Sequence, residues 1–162
     1  MDIEVKLLRS SSIMPVKAHA TDAGFDVFVS TITDTDKTLH YQYNQANIAR
    51  DVFLPLGKRV WCGLGIATKI PVGYFALCAP RSGLACKHGI TFGNTPAIID
   101  SDFRGEWLCC VCNYGDADYK LSVGDKILQF VILPLPQVTL KAVHELDVTA
   151  RGVGGFGSTG RN

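Results

Sequence analysis

The sequence predicts an all-β protein, built as an antiparallel barrel or sandwich with one short helix. Short runs rich in Val, Ile, Phe and Trp recur along the chain, and clusters of Pro, Gly and Asp separate them. Helical periodicity is nearly absent. The 162 residues include 16 glycines and 7 prolines, an excess that calls for many turns.

Residues 1–12 alternate charge with apolar groups, which suits a first strand at 3–8 and provides no signal-peptide core. The second run, 25–29, begins with Asp26 among apolar neighbours, and a carboxylate there needs a hydrogen-bonding partner. Residues 31–50 are polar, with Tyr41 and Tyr43 among Asp34, Asp36, Asn44, Gln45 and Asn47, and read as a solvent-exposed insertion. Runs 60–70 and 73–79 meet at Ile70-Pro71-Val72-Gly73. The helix begins around Ser82, placed to cap it, and covers Gly83 to Lys87. Residues 106–113 read as one continuous buried strand, and runs 127–133 and 138–144 complete the set. Gln129 is a polar residue inside the apolar run Ile127-Leu128-Gln129-Phe130. Length allows one domain, at 1–146, followed by a flexible arm at 147–162 that holds five of the 16 glycines.

Sixteen basic residues against 15 acidic ones leave a net charge of +1, so no global field draws the chain onto nucleic acid or an anionic membrane. No apolar run approaches the roughly 18 residues that span a bilayer. A cytoplasmic protein is the expectation. The six cysteines, at 62, 78, 86, 109, 110 and 112, sit in apolar sequence and read as buried thiols. Cys109 and Cys112 form a C-x-x-C without a second ligand pair, on strand positions that face opposite ways. The four histidines share no ligand spacing.

Three segments carry chemistry. Gly152, Gly154 and Gly157 satisfy G-x-G-x-x-G, but only five residues follow, so no dinucleotide-binding βαβ unit can form. What remains is an arm whose N–H groups and Arg151 could wrap an anion, with Phe156 free to stack on a base. In Pro80-Arg81-Ser82-Gly83-Leu84-Ala85 a cation and a hydroxyl stand where a strand turns into a helix, either an anion site or an N-cap with a surface Arg. The segment 93–106 offers the amide of Asn94 to a base edge and places Asp100 after three apolar residues, partly buried and poised as a base. Asp102 and Arg104 read as a turn and a surface ion pair.

In their order along the chain, five segments resemble the motifs of the trimeric dUTPase family. They are Ala23-Gly24-Phe25-Asp26, Pro80 to Ala85, Gly93-Asn94 through Asp100 to Gly105, Gly124-Asp125-Lys126-Ile127-Leu128-Gln129, and Arg151 to Gly160. The resemblance implies a distorted jelly-roll barrel and a homotrimer with three shared active sites. It implies Mg²⁺-dependent hydrolysis of dUTP to dUMP and pyrophosphate, limiting uracil in DNA and supplying dUMP for dTMP synthesis. Asp100 is then the base that activates water; Arg81, Ser82, Gly83 and Gln129 hold the phosphate chain, and Asp26 orders the metal's water shell. Asn94 reads uracil, Phe103 lies against the deoxyribose, and Arg151, Phe156, Gly157 and Ser158 close the site from the arm.

The sequence departs from the family pattern at three places. Phe103 stands for the usual tyrosine, Ala97 for the usual glycine, and 31–50 is longer, a possible surface for a protein partner. The sister family of dCTP deaminases resembles the same fold but needs a glutamate where this chain has Cys110. A non-hydrolysing nucleotide-binding regulator is the other reading.

Overall fold

Along residues 1–33 and 48–155, which the computed structural model describes, almost every predicted run becomes a strand. The first six are β1 (Glu4–Leu7), β2 (Phe25–Phe28), β3 (Thr31–Thr33), β4 (Ile48–Ala49), β5 (Asp51–Leu54) and β6 (Arg59–Gly63). β7 (Ile66–Lys69), β8 (Tyr74–Pro80), the helix α1 (Ser82–His88), β9 (Ile90–Phe92) and β10 (Ala97–Ile99) follow. β11 (Leu108–Asn113), β12 (Tyr119–Ser122) and β13 (Lys126–Pro134) close the described set. Two sheets dominate, β10-β8-β13-β2 and β4-β3-β6-β11-β9, with the pairs β1-β7 and β12-β5 beside them. Each pairing is antiparallel, as short runs joined by tight turns demand.

Both large sheets feed one core. Val27, Ala76, Leu128 and Phe130 come from the first, and Ile32, Val60, Cys62, Phe92 and Val111 from the second. Trp107 seals it, meeting the Phe130 ring edge-on at 5.1 Å and donating its indole N–H to Thr68 Oγ1 at 3.2 Å. A buried Trp thus keeps its polar atom paired while its ring fills the core. Phe130 in turn stacks on Phe25 at 5.3 Å. Asn113, wholly buried, donates to Leu54 O and Ala117 O and accepts from Gly115 N, which ties β11 to β5 and to the turn that follows.

Several expectations need correction. The run 60–70 is two strands, because Gly65 turns the chain at φ +69°, and a Cβ there would run into Ser12 and Ser30. Residues 138–144 form no strand: Val138, Leu140 and Val143 stand exposed, because their β-type composition meets no partner strand in the described chain. Arg81, not Ser82, is the N-cap, and no side chain bonds into the first turn of α1. The stretch 31–50 is not wholly a loop, since β3 pairs with β4 and with β6, and Thr31 and Ile32 are buried. Its middle, 34–47, lies outside the described residues. No helix among the described residues is long and apolar enough to cross a membrane.

Five of the six thiols are buried, as read from the sequence, whereas Cys86 on α1 is exposed. Burial pushes Cys62 and Cys78 up to about 12 and Cys109 well above its ordinary 9.0. An unfolded chain ionises these thiols from about pH 9, so the linked stability is whole below that pH and is lost as pH rises toward 12. The native protein should therefore show one rapidly reacting thiol per chain in an Ellman titration, and six after denaturation. Its urea midpoint should fall steadily above pH 9, with a shallower slope in Cys62→Ala.

Candidate active site

β13 lies between β8 and β2, and its register aligns three strands. Gln129 stands opposite Asp26 of β2 on one side and Ala79 of β8 on the other. Directly paired residues share a sheet face, and Arg81, two residues beyond Ala79, returns to that face. The result is a compact charged cluster. Arg81 donates from Nε to Asp26 Oδ1 at 3.0 Å and from Nη1 to Lys126 O at 3.4 Å, while Lys126 Nζ stands 2.9 Å from Asp26 Oδ2. Gln129 Nε2 donates to Pro80 O at 3.2 Å. Gly24 makes room for this: a Cβ there would stand 3.0 Å from Gln129 Oε1.

Asp26 is thus not an isolated polar intruder in a strand but the counter-ion of two cations. Its side chain is 14% exposed against 36% for Arg81 and 33% for Lys126, so the excess positive charge faces outward. Ser82 and Gly83 are exposed in the first turn of α1 beside it, and open space surrounds the Cβ position of Gly83. Lys126 was given no role from the sequence. A lone cation opening an otherwise apolar strand, three residues before Gln129, is the signal that marks it.

A second group sits on the connection between β9 and β10, which belong to different sheets, and just beyond β10. Asn94 is in its turn, where Gly93 N donates to Cys110 O at 2.9 Å and Thr95 N to Phe92 O at 3.2 Å. Asp100 follows β10 directly and is exposed, contrary to the expected partial burial, because β10 is itself only half-buried, with Ile98 61% exposed, and the chain leaves the sheet at Asp100. Phe103 N donates to Asp100 O at 3.3 Å, closing a turn that leaves the Phe103 ring 42% exposed. The expected ion pair of Asp102 and Arg104 is replaced by contacts to carbonyl groups: Arg104 Nη1 donates to Ser101 O, Phe103 O and Thr68 O. Arg151 is exposed and donates to Gly154 O at 2.9 Å; Phe156, Gly157 and Ser158 lie outside the described residues.

Within one chain Asp100 and Arg81 stand apart. Ile99 pairs with Ala76, so Asp100 is level with Phe75, and Arg81 lies six residues along the same strand. At about 3.3 Å per residue that is roughly 20 Å. Among the described residues no three of His, Cys, Asp and Glu gather as a metal site.

Over 98% of its length the chain superposes on a phage nucleotide hydrolase, the dUTPase of Staphylococcus bacteriophage 80alpha with dUPNHPP. The TM-score is 0.79 at 26% identity, and 98% of that chain is covered. Residues 46–160 match the family model described as dUTPase. The deoxyuridine 5'-triphosphate nucleotidohydrolase of Syntrophotalea carbinolica is 40% identical over 158 residues, 98% of this chain and 96% of that protein. Its counterpart in Nautilia profundicola is 37% identical over 161 residues, 99% and 100% of the two chains. The chain belongs to the dUTPase family of enzymes.

Gly24→Ala tests the packing of the charged cluster. The new methyl should push the Gln129 carboxamide off Pro80 O at a cost to stability of about 1 kcal/mol, as small overpacking does. The loss in kcat/KM for dUTP should be larger than that shift in a thermal melt would explain.

Proposed function

We propose that this chain hydrolyses dUTP to dUMP and pyrophosphate at sites completed between copies of itself, in a homotrimer. The observation that carries this reading is the separation of Asp100 from Arg81. A general base must stand within a hydrogen bond, or one water, of the reacting centre. Two groups roughly 20 Å apart on one strand serve a single phosphate chain only if they come from different copies.

Asp100 takes the proton of the attacking water, aimed in line at the α-phosphorus, and its exposure leaves it accessible to that water. Positioned general bases contribute about 10²- to 10⁴-fold, and orientation with charge neutralisation supplies much of the rest. Arg81, Ser82, Gly83 and Gln129 hold the phosphate chain, with Lys126 adding the second cation of the cluster. Asn94 reads the uracil edge, and Phe103 lies against the deoxyribose where a ribose 2′-hydroxyl would clash. The arm, 147–162, brings Arg151 to the phosphates and Phe156, Gly157 and Ser158 over the base, excluding water as a lid does.

The donor set fits Mg²⁺ carried on the triphosphate. Mg²⁺ keeps several waters and is commonly held by one or two carboxylates together with substrate phosphates. Asp26 is one such carboxylate. Its oxygens each accept from one cation here and retain a lone pair for a water of the metal's shell. When bound, Mg²⁺ neutralises charge along the phosphate chain.

The deaminase alternative fails on chemistry: residue 110 is a buried thiol whose ionisation burial opposes, not a carboxylate. With Mg²⁺ present, pyrophosphate should be released from dUTP and not from dTTP, dCTP or UTP; ammonia from dCTP, or dUTP binding without turnover, would sink the assignment. Asp100→Asn should bind nucleotide and not turn it over. Mixing inactive Asp100→Asn chains with inactive Arg81→Met chains, after dissociation and reassembly, should restore about a quarter of the sites if each needs one group from either of two symmetric copies. No recovery would refute the shared site.

A further inference from the structure

Arg104 has no assigned part in the reaction, yet its guanidinium is hydrogen-bonded to the turn that carries Asp100. That turn leaves β10 at Asp100 and is closed by the single bond from Phe103 N to Asp100 O, at the long end for N–H···O. Asp100, Asp102 and Phe103 are all exposed, so packing does little to fix them. A single nitrogen, Arg104 Nη1, donates to Ser101 O at 2.7 Å and to Phe103 O at 2.9 Å. Charge-assisted bonds of this length are the strong ones. With its two N–H groups directed at those carbonyls, the same nitrogen reaches Thr68 O of β7 only as a shared, longer contact at 3.4 Å. Thr68 is itself buried, paired with Val5 of β1, and accepts the Trp107 indole N–H. One guanidinium therefore anchors an exposed turn to a core strand.

We infer that Arg104 is a positioning residue for hydrolysis: it holds the turn 100–103 so that the Asp100 carboxylate keeps its aim. The inference rests on the reading of Asp100 as the general base. The Ser101 and Phe103 carbonyls lie on a turn open to water and the contact to Thr68 O is long, so water can replace the guanidinium with little cost to folding. The aim of Asp100 is what water cannot restore. Beyond the guanidinium is a cavity of about 270 Å³, bounded also by Lys69, Ser101 and Asp102, which leaves room for a substituted side chain.

The test uses the full-length protein and four variants, Arg104→Met, Arg104→Lys, Asp100→Asn and the double variant Arg104→Met/Asp100→Asn. Arg104→Met should lower kcat by about 10- to 100-fold, the usual consequence of a small misplacement at the reacting centre. Its affinity for the non-hydrolysable dUPNHPP should stay within about twofold of wild type, since the lost interaction serves the transition state and not the ground state. Arg104→Lys should recover most of the rate, because an ammonium offers three donors from one nitrogen. On the Asp100→Asn background, which binds nucleotide without turnover, Arg104→Met should likewise leave the affinity for dUPNHPP within about twofold. A wild-type kcat in Arg104→Met, a loss of analogue affinity equal to the loss of rate, or a matching loss of analogue affinity on the Asp100→Asn background would each overturn the role of Arg104 alone. Full activity in Asp100→Asn would overturn the base assignment itself, and this role with it.

Discussion

The register of β13 against β2 and β8 is the constraint on which the site depends. Because side chains alternate across a sheet, a slip of one residue would turn Gln129 away from Asp26 and Ala79 and bury or expose the wrong set throughout. The register is secured from both faces: Ile127, Leu128 and Phe130 enter the core, and Phe130 stands between Phe25 and Trp107. The charged cluster is thus a by-product of a packing decision. Asp26, Arg81 and Lys126 meet because the apolar residues beside them have only one way to interlock.

A second node supports the segment that carries Asp100. Glu106 accepts from Arg9 on both carboxylate oxygens, at 2.6 and 2.7 Å, and from Gly65 N at 2.8 Å. The paired fork geometry adds direction to the attraction, and the partners are half-buried. It joins the chain's beginning, the tight turn between β6 and β7, and the entrance to β11. One residue earlier, Gly105 allows the Phe103 ring to lie close, since a Cβ there would stand 2.7 Å from Phe103 Cζ. The segment from Asp100 to Glu106 is therefore held at its far end by a buried-side ion pair and at its near end by β10.

Most of the fold could be read in the sequence, and what escaped did so for identifiable reasons. Long apolar runs such as 106–113 and 127–133 became β11 and β13 because burial runs through Cys109–Asn113 on both faces of β11 and through Ile127, Leu128 and Phe130 of β13. β3, β5, β9, β10 and β12, of three or four residues each, carry too little pattern to register alone and exist through their partners. The run 138–144 shows the converse, a strand-like composition with no partner. At the site, Asp26, Arg81 and Gln129 were found and do come together, but Lys126 was passed over, and the exposure of Asp100 could not be read from the apolar residues before it. No local pattern reports that Asp100 and Arg81 lie at opposite ends of β8, because that distance is a property of pairing.

The stretch between β13 and Arg151 has a consequence of its own. From Leu135 to Ala150 every residue is exposed and none belongs to a strand or helix. Fully extended, such a stretch spans at most about 50 Å, more than twice the gap between Asp100 and the cation cluster. Arg151 is thus a tethered group, and its local concentration near any site within that radius is set by chain length and stiffness, not by how dilute the protein is. Any contact that Arg151 makes within that radius on its own chain is an intramolecular event, insensitive to protein concentration.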